Sequence, residues 1–153
     1  MDHTTPLLAV RSVTKSFGSL VALRGIELSI APGEWIAIVG PSMGGGFALA
    51  YALSRPERVG ALVLISPSVY RIPDEEKEKL SKLEKPVLLV WGDRDRVFPF
   101  DEYGKPLKET LPPAKLVIVE QAGHGVYLDK PNEFNELLVD FLSEAISSRG
   151  ESH

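Results

Sequence analysis

The sequence predicts an α/β fold: a three-layer arrangement in which a mostly parallel sheet carries helices on both faces, preceded by an antiparallel N-terminal hairpin. Three observations predict it. From residue 35 onward, short apolar runs alternate with helical patterns, the order that builds a parallel sheet through right-handed crossovers. Several of those runs are apolar throughout instead of at every second residue, as strands buried on both faces require. The first thirty residues differ, because two β-rich stretches meet there at Gly18-Ser19, the pattern of a hairpin.

The elements follow in order. Residues 7–17 (LLAVRSVTKSF) and 21–30 (VALRGIELSI) supply the hairpin, and Ala31-Pro32-Gly33 breaks the chain after it. Residues 35–40 (WIAIVG) predict a buried parallel strand that ends in glycine. A small-residue helix at about 43–55, a strand at 60–66 (GALVLIS) and a charged helix near 74–84 come next. In that charged helix Glu75/Lys79 and Glu78/Lys82 stand one turn apart, which reads as a solvated face. A strand at 86–92 (PVLLVWG), a helix interrupted by Gly104 and Pro106, and a strand at 115–120 (KLVIVE) follow. The last helix starts at Pro131, and its apolar stripe of Phe134, Leu137, Leu138, Phe141 and Ala145 is expected to face the core.

Composition limits the functional classes. At 153 residues the chain suits one domain with one core. Hydrophobic residues make up 44% and charged residues 25%, ordinary for a soluble globular protein, and a net charge of −4 gives no basic footprint for nucleic acid. There is no cysteine, so disulfides and thiolate metal sites are excluded; no metal and no cofactor is expected. Neither an apolar leader nor a membrane-length apolar run is present, which makes a cytoplasmic protein without membrane partners the expectation. Of three histidines, His3 and His153 lie at the termini, so any imidazole chemistry falls to His124.

In open parallel sheets chemistry gathers at the carboxyl ends of the strands. Three glycine-bearing segments occupy those ends: Gly40 to Gly46, Gly92 to Val97 and Gln121 to Gly125. The first contains Gly40-Pro41-Ser42-Met43-Gly44, which fits the G-x-S-x-G turn that presents a strained serine between a strand and a helix and requires small residues two before and two after it, here Gly40 and Gly44; the same letters also suit a plain loop. The second, Trp91-Gly92-Asp93-Arg94-Asp95, carries two carboxylates. Asp95 is the expected acid, and Asp93 is expected to cap the turn or pair with an arginine. The third, Gly123-His124-Gly125, leaves an imidazole room to turn towards a neighbour. Serine, aspartate and histidine following separate strands of one parallel sheet, in that order, suit acyl transfer. His124 would take the Ser42 proton, Asp95 would fix the imidazole tautomer, and the Met43 backbone N–H would donate to the developing oxyanion.

From Ser42 to about residue 147 the chain resembles the C-terminal half of an α/β-hydrolase of the small esterase and C–C hydrolase type. The likeness rests on Ser-Met-Gly-Gly, on Arg-Pro-Glu-Arg-Val-Gly-Ala-Leu-Val-Leu-Ile-Ser-Pro at 55–67, on Trp-Gly-Asp-Arg-Asp and on Gly-His. It implies Ser42 as nucleophile, Asp95 as acid and His124 as base, with a small ester as substrate. It also implies that the family's first strands, the loop giving a second oxyanion N–H, and most of a substrate-covering cap have no counterpart here.

Residues 7–42 resemble the N-terminal part of an ABC-transporter ATPase domain, through Val-Thr-Lys-Ser-Phe-Gly, Ala-Leu-Arg-Gly-Ile and Ala-Pro-Gly-Glu-Trp-Ile-Ala-Ile-Val-Gly-Pro-Ser. That likeness implies an adenine-stacking role for Phe17 and phosphate contacts at Gly40 and Gly45. The phosphate loop, however, requires lysine and a hydroxyl where Gly46 and Phe47 stand.

The two likenesses together predict an engineered or selected chimera folded as a single domain over 1–153. Its parts would be an ABC-like segment at 7–41, a hydrolase-like segment at 42–147 and a tail at 148–153. The expected function is at most a weak serine hydrolase. The alternatives are a folded chimera without catalysis and a residual nucleotide-binding module. Loss of the first hydrolase strands leaves an open strand edge, from which a homodimer is expected.

Overall fold

The computed structural model describes residues 6, 8–31, 37–69, 74–111 and 114–150. The chain forms two compact units, Met1–Trp35 and Ile36–His153.

In the first unit strands β1 (Leu8–Phe17) and β2 (Leu20–Ile30) pair antiparallel around the expected Gly18-Ser19 turn. The ladder is irregular between Val10 and Ser16. There Ser12 adopts a left-handed φ of 49°, and both its N–H and its hydroxyl donate to Glu27 Oε1, at 2.7 and 2.8 Å. The side chain thus takes up a donor that the interrupted ladder would leave open.

The second unit is built on a four-stranded parallel sheet in the order β3-β4-β5-β6. Its strands are β3 (Ala37–Pro41), β4 (Ala61–Ile65), β5 (Val87–Gly92) and β6 (Ala114–Val119). All residues of β4 and β5 are buried, as their unbroken apolar sequences require. The outer strand β3, grouped with the hairpin on sequence, belongs to this second unit. It pairs only with β4 among the described residues, and Val39 on it is exposed.

Helix α1 (Met43–Ser54) follows β3 and buries Gly45, Ala48, Leu49 and Ala52, whose small side chains let the helix lie close to the sheet. Helix α2 (Asp74–Ser81) is charged as expected. Lys82 Nζ lies 2.6 Å from Glu78 Oε1 with both side chains 71% exposed, while the Glu75 side chain lies outside the described residues. The helix expected to be broken at Gly104 and Pro106 is a wide turn at Phe100–Gly104 running into α3 (Lys105–Thr110). Pro106 therefore sits in the first turn of a helix, where its missing N–H is no loss.

A short helix α4 (Val126–Asp129) was not foreseen, and α5 (Pro131–Gly150) buries Phe134, Phe141 and Ala145 of its expected stripe. The core unites Leu49, Leu62, Leu64, Leu89, Leu107 and Leu111 around the sheet. No described helix is long and apolar enough to cross a membrane.

Candidate active site

The exit of β3 delivers Ser42 in a left-handed conformation, φ 49° and ψ −123°. A non-glycine residue there is strained by contact of its Cβ with the backbone, so surrounding bonds must hold it. They come from the neighbouring strand. Ser42 N–H donates to Ile65 O at 2.8 Å, and Ser42 O accepts from Ser68 N–H at 2.8 Å and from Gly45 N–H at 3.0 Å. Ser42 makes no side-chain bond to the helix it precedes, which leaves Oγ available.

The turn closes tightly because Gly40 and Gly45 lack side chains. A Cβ on Gly40 would lie 2.6 Å from Gly44 O, and one on Gly45 2.6 Å from Pro67 Cβ. The sequence reading placed the second steric requirement at Gly44. There a Cβ would meet Pro41 Cδ at an ordinary 3.5 Å, so the need falls one residue later, at Gly45.

Asp95 and His124 come together as expected: His124 Nδ1 is 2.9 Å from Asp95 Oδ2. The other carboxylate oxygen, Oδ1, accepts from the N–H groups of Val97 and Phe98, both at 2.9 Å. The Asp95 side chain is fully buried, whereas Asp93 is exposed and outside this contact, which separates the two carboxylates of the motif. Burial acts to raise the Asp95 pKa. Donors from Phe98, His124, Ser66 and Val97 outweigh it, and the carboxyl is held below its ordinary value.

The acid and base loops are tied to each other directly. Arg94 N–H donates to Ala122 O at 2.9 Å and Asp93 N–H to Val119 O at 3.1 Å. So close an approach requires Gly92, where a Cβ would overlap the carbonyl oxygens of Ala122 and Gly123. Asp129 Oδ2 accepts Gly123 N–H at 2.8 Å and pins the histidine loop from the other side.

Phe98 joins these parts. Its ring meets the His124 ring edge-on at 5.2 Å, and its carbonyl accepts Trp91 Nε1–H at 2.7 Å. Trp91 and Ser66 were legible only as members of the Trp-Gly-Asp run and of the run at 55–67; Phe98 and Asp129 carried no sequence signal.

Among the described residues His124 contacts Asp95 and makes no hydrogen bond to Ser42. Hydrogen bonds between nucleophile and base are often long in unliganded sites and tighten around substrate. The Phe17 side chain, expected over adenine, lies outside the described residues. Gly40 and Gly45, expected to contact phosphate, are instead packed into the serine turn, with Gly45 N–H engaged by Ser42 O. No group of three His, Asp or Glu among the described residues is placed to hold a metal.

The profile of the dienelactone hydrolase family matches residues 22–144, running through Ser42 on both sides. The chain belongs to the dienelactone hydrolase family. Family membership agrees with curated relatives: an uncharacterised hydrolase, YugF, of Bacillus subtilis (strain 168) is 41% identical over 73 residues, 48% of this chain and 26% of that protein. A putative protein-lysine deacylase, ABHD14B, of Rattus norvegicus is 28% identical over 75% of this chain and 58% of that one. Among solved structures, a CIB-like hydrolase from Thermoplasma acidophilum superposes with a TM-score of 0.63 at 35% identity, covering 71% of this chain and 50% of that chain. The α/β-hydrolase MGS-MChE2, from a sediment metagenome, gives a TM-score of 0.64 at 28% identity over 72% of this chain and 62% of that one. The chain therefore spans about a quarter to three fifths of the length of these relatives.

Proposed function

We propose that this chain is a weak serine hydrolase of the α/β type, acting on small activated esters through Ser42, His124 and Asp95. The observation that carries the reading is the buried Asp95–His124 bond, set at the same end of the sheet as a left-handed serine. Because Nδ1 of His124 is committed to Asp95, Nε2 is the nitrogen left to accept a proton.

In the first half-reaction Ser42 Oγ bonds to the acyl carbon while its proton passes to Nε2. The tetrahedral intermediate then expels the alkoxide, which takes that proton from His124. Water, deprotonated by His124, attacks the acyl-serine and regenerates Ser42. Met43 N–H, in the first turn of α1, has no partner within the helix and is suited to meet the oxyanion.

Turnover is proposed to be weak because Met43 N–H is the one oxyanion donor this reading assigns, and a site short of one such N–H runs about a hundred- to thousandfold slower in kcat. Incubation with a fluorophosphonate probe is the test. Labelling that disappears in Ser42→Ala supports the reading, and labelling that persists there, or never occurs, overturns it.

A second reading concerns the N-terminal unit, for which an ABC-ATPase origin of residues 7–41 and a chimeric chain are proposed from sequence likeness. The unit Met1–Trp35 holds most of that segment, while the dienelactone hydrolase profile begins inside it at residue 22, so the proposal rests on the sequence likeness alone. Retained nucleotide binding would raise the melting temperature in millimolar ATP. A Cβ at Gly46, the lysine position of a phosphate loop, would lie 2.7 Å from Ser68 O, and on that ground no such rise is expected.

A homodimer through the outer edge of β3 is likewise proposed. It is supported by the exposure of Val39 on that strand and of Met43 and Phe47 beside it. A monomeric mass in light scattering at high concentration would refute it.

A further inference from the structure

Ser66 immediately follows β4, between the two residues that hold the Ser42 backbone, Ile65 through its carbonyl and Ser68 through its N–H. It is fully buried and left-handed, with φ 40°, although it is not glycine. Its N–H donates to Val90 O at 3.0 Å, continuing the β4–β5 ladder towards the acid loop. Its hydroxyl has no hydrogen-bond partner among the described residues, a costly state for a buried polar group and one that asks for a reason. The same hydroxyl is among the groups that hold the Asp95 carboxyl below its ordinary value, although it makes no hydrogen bond among the described residues.

We propose that Ser66 is a positioning residue that couples the two halves of the site. Its left-handed backbone sets the Ile65–Ser68 segment that clamps Ser42, and its buried hydroxyl turns onto the Asp95 carboxylate as the fourth donor, beside Val97 N–H, Phe98 N–H and His124 Nδ1–H. The proposal rests on the serine-hydrolase reading for its consequence, though its geometry concerns Asp95 alone. Hydroxyl rotation is cheap, so a donor idle in the unliganded site can close on Asp95 when His124 charges and the pair tightens. The titratable group facing Asp95 is His124.

The experiment follows the Asp95 carboxyl carbon by NMR titration in the full chain, as wild type and as Ser66→Ala, Ser66→Gly and Ser66→Asn. Ala and Gly both lack the hydroxyl and are expected to raise the Asp95 midpoint equally. Asn, which supplies a donor and tolerates a left-handed backbone, is expected to restore part of the difference. Thermal melting separates the backbone role: Gly should melt above Ala, because it adopts φ 40° without strain.

Fluorophosphonate labelling of Ser42 in Ser66→Ala should be about tenfold slower than in wild type, through misplacement of both halves. An Asp95 midpoint unchanged in both Ala and Gly overturns the role at Asp95, and an unchanged labelling rate overturns the coupling to Ser42. Should Ala fail to fold, Gly carries both readouts. A wild-type chain that never labels would sink the hydrolase reading instead, and the Asp95 titrations would still decide Ser66.

Discussion

The serine turn and the acid–base loops sit at the same end of one sheet but are held by opposite means. Ser42 is kept in a strained backbone conformation by bonds from β4 and its exit, and its Oγ makes no cap bond to the helix that follows. Asp95 and His124 stand on loops tied to each other, with the carboxylate buried and given donors on both oxygens, and the one left-handed residue there, Gln121 at φ 59°, lies three residues from the imidazole and not at it. In one half the strain falls on the functional residue itself; in the other the functional side chains are closed in and satisfied. The contrast teaches that, on the proposed serine-hydrolase reading, the site is half preorganised: His124 is already held by Asp95, while Ser42 makes no hydrogen bond to it among the described residues.

Gly92→Ala should have the largest effect, because the added Cβ has backbone carbonyls and no flexible side chain to displace. About 3 kcal/mol of stability should be lost in urea unfolding, along with the register of the two loops. A loss under 1 kcal/mol would show that the loops are not locked to each other as described.

Asp95→Asn should leave the backbone intact and lower ester turnover by about a thousand- to ten-thousandfold, since the neutral amide no longer selects the Nδ1–H tautomer. It should also change the pH dependence of unfolding. Asp95 is held below its ordinary pKa in the folded chain, so its contribution is complete above that ordinary value and is lost as pH falls through the folded one. Acid unfolding of the Asn variant should lack this part of the decline below the ordinary carboxylate range; a parallel curve would mean that Asp95 is not the group concerned.

On the strained side the expected sign reverses. Ser42→Gly should abolish labelling yet melt above Ser42→Ala, by an amount equal to about 1 kcal/mol, because glycine adopts φ 49° freely. Equal melting of the two variants would remove strain from the account. Smallest of all, Asp129→Ala frees Gly123 N–H in an exposed loop and should cost about 0.5 to 1 kcal/mol, with a few-fold fall in labelling rate.

The alternation of strands and helices, the serine turn and the meeting of Asp95 with His124 were legible in the sequence because each is announced by a local pattern. An unbroken apolar run can only be a doubly buried strand, and glycines on either side of a serine or histidine declare a tight turn. Gly44 was misassigned as a steric requirement because spacing within a pentapeptide says nothing of Pro67, which packs on Gly45 from the next strand's exit. Trp91 to Phe98, Asp129 to Gly123 and Ser66 to the carboxylate were invisible for the same reason. Each joins residues whose letters fit many other roles.

The sequence by itself determined which elements form, which faces they bury and which three residue types arrive at the carboxyl ends, because periodicity and turn chemistry are short-range. Only the tertiary structure decided that Asp95 is buried against His124 while Asp93 stays exposed, that the second close approach of the serine turn falls at Gly45, and that the Ser66 hydroxyl is left buried without a partner among the described residues. Those outcomes depend on which strand exits become neighbours. Parallel pairing sets that through crossovers tens of residues long, across which no local pattern reaches.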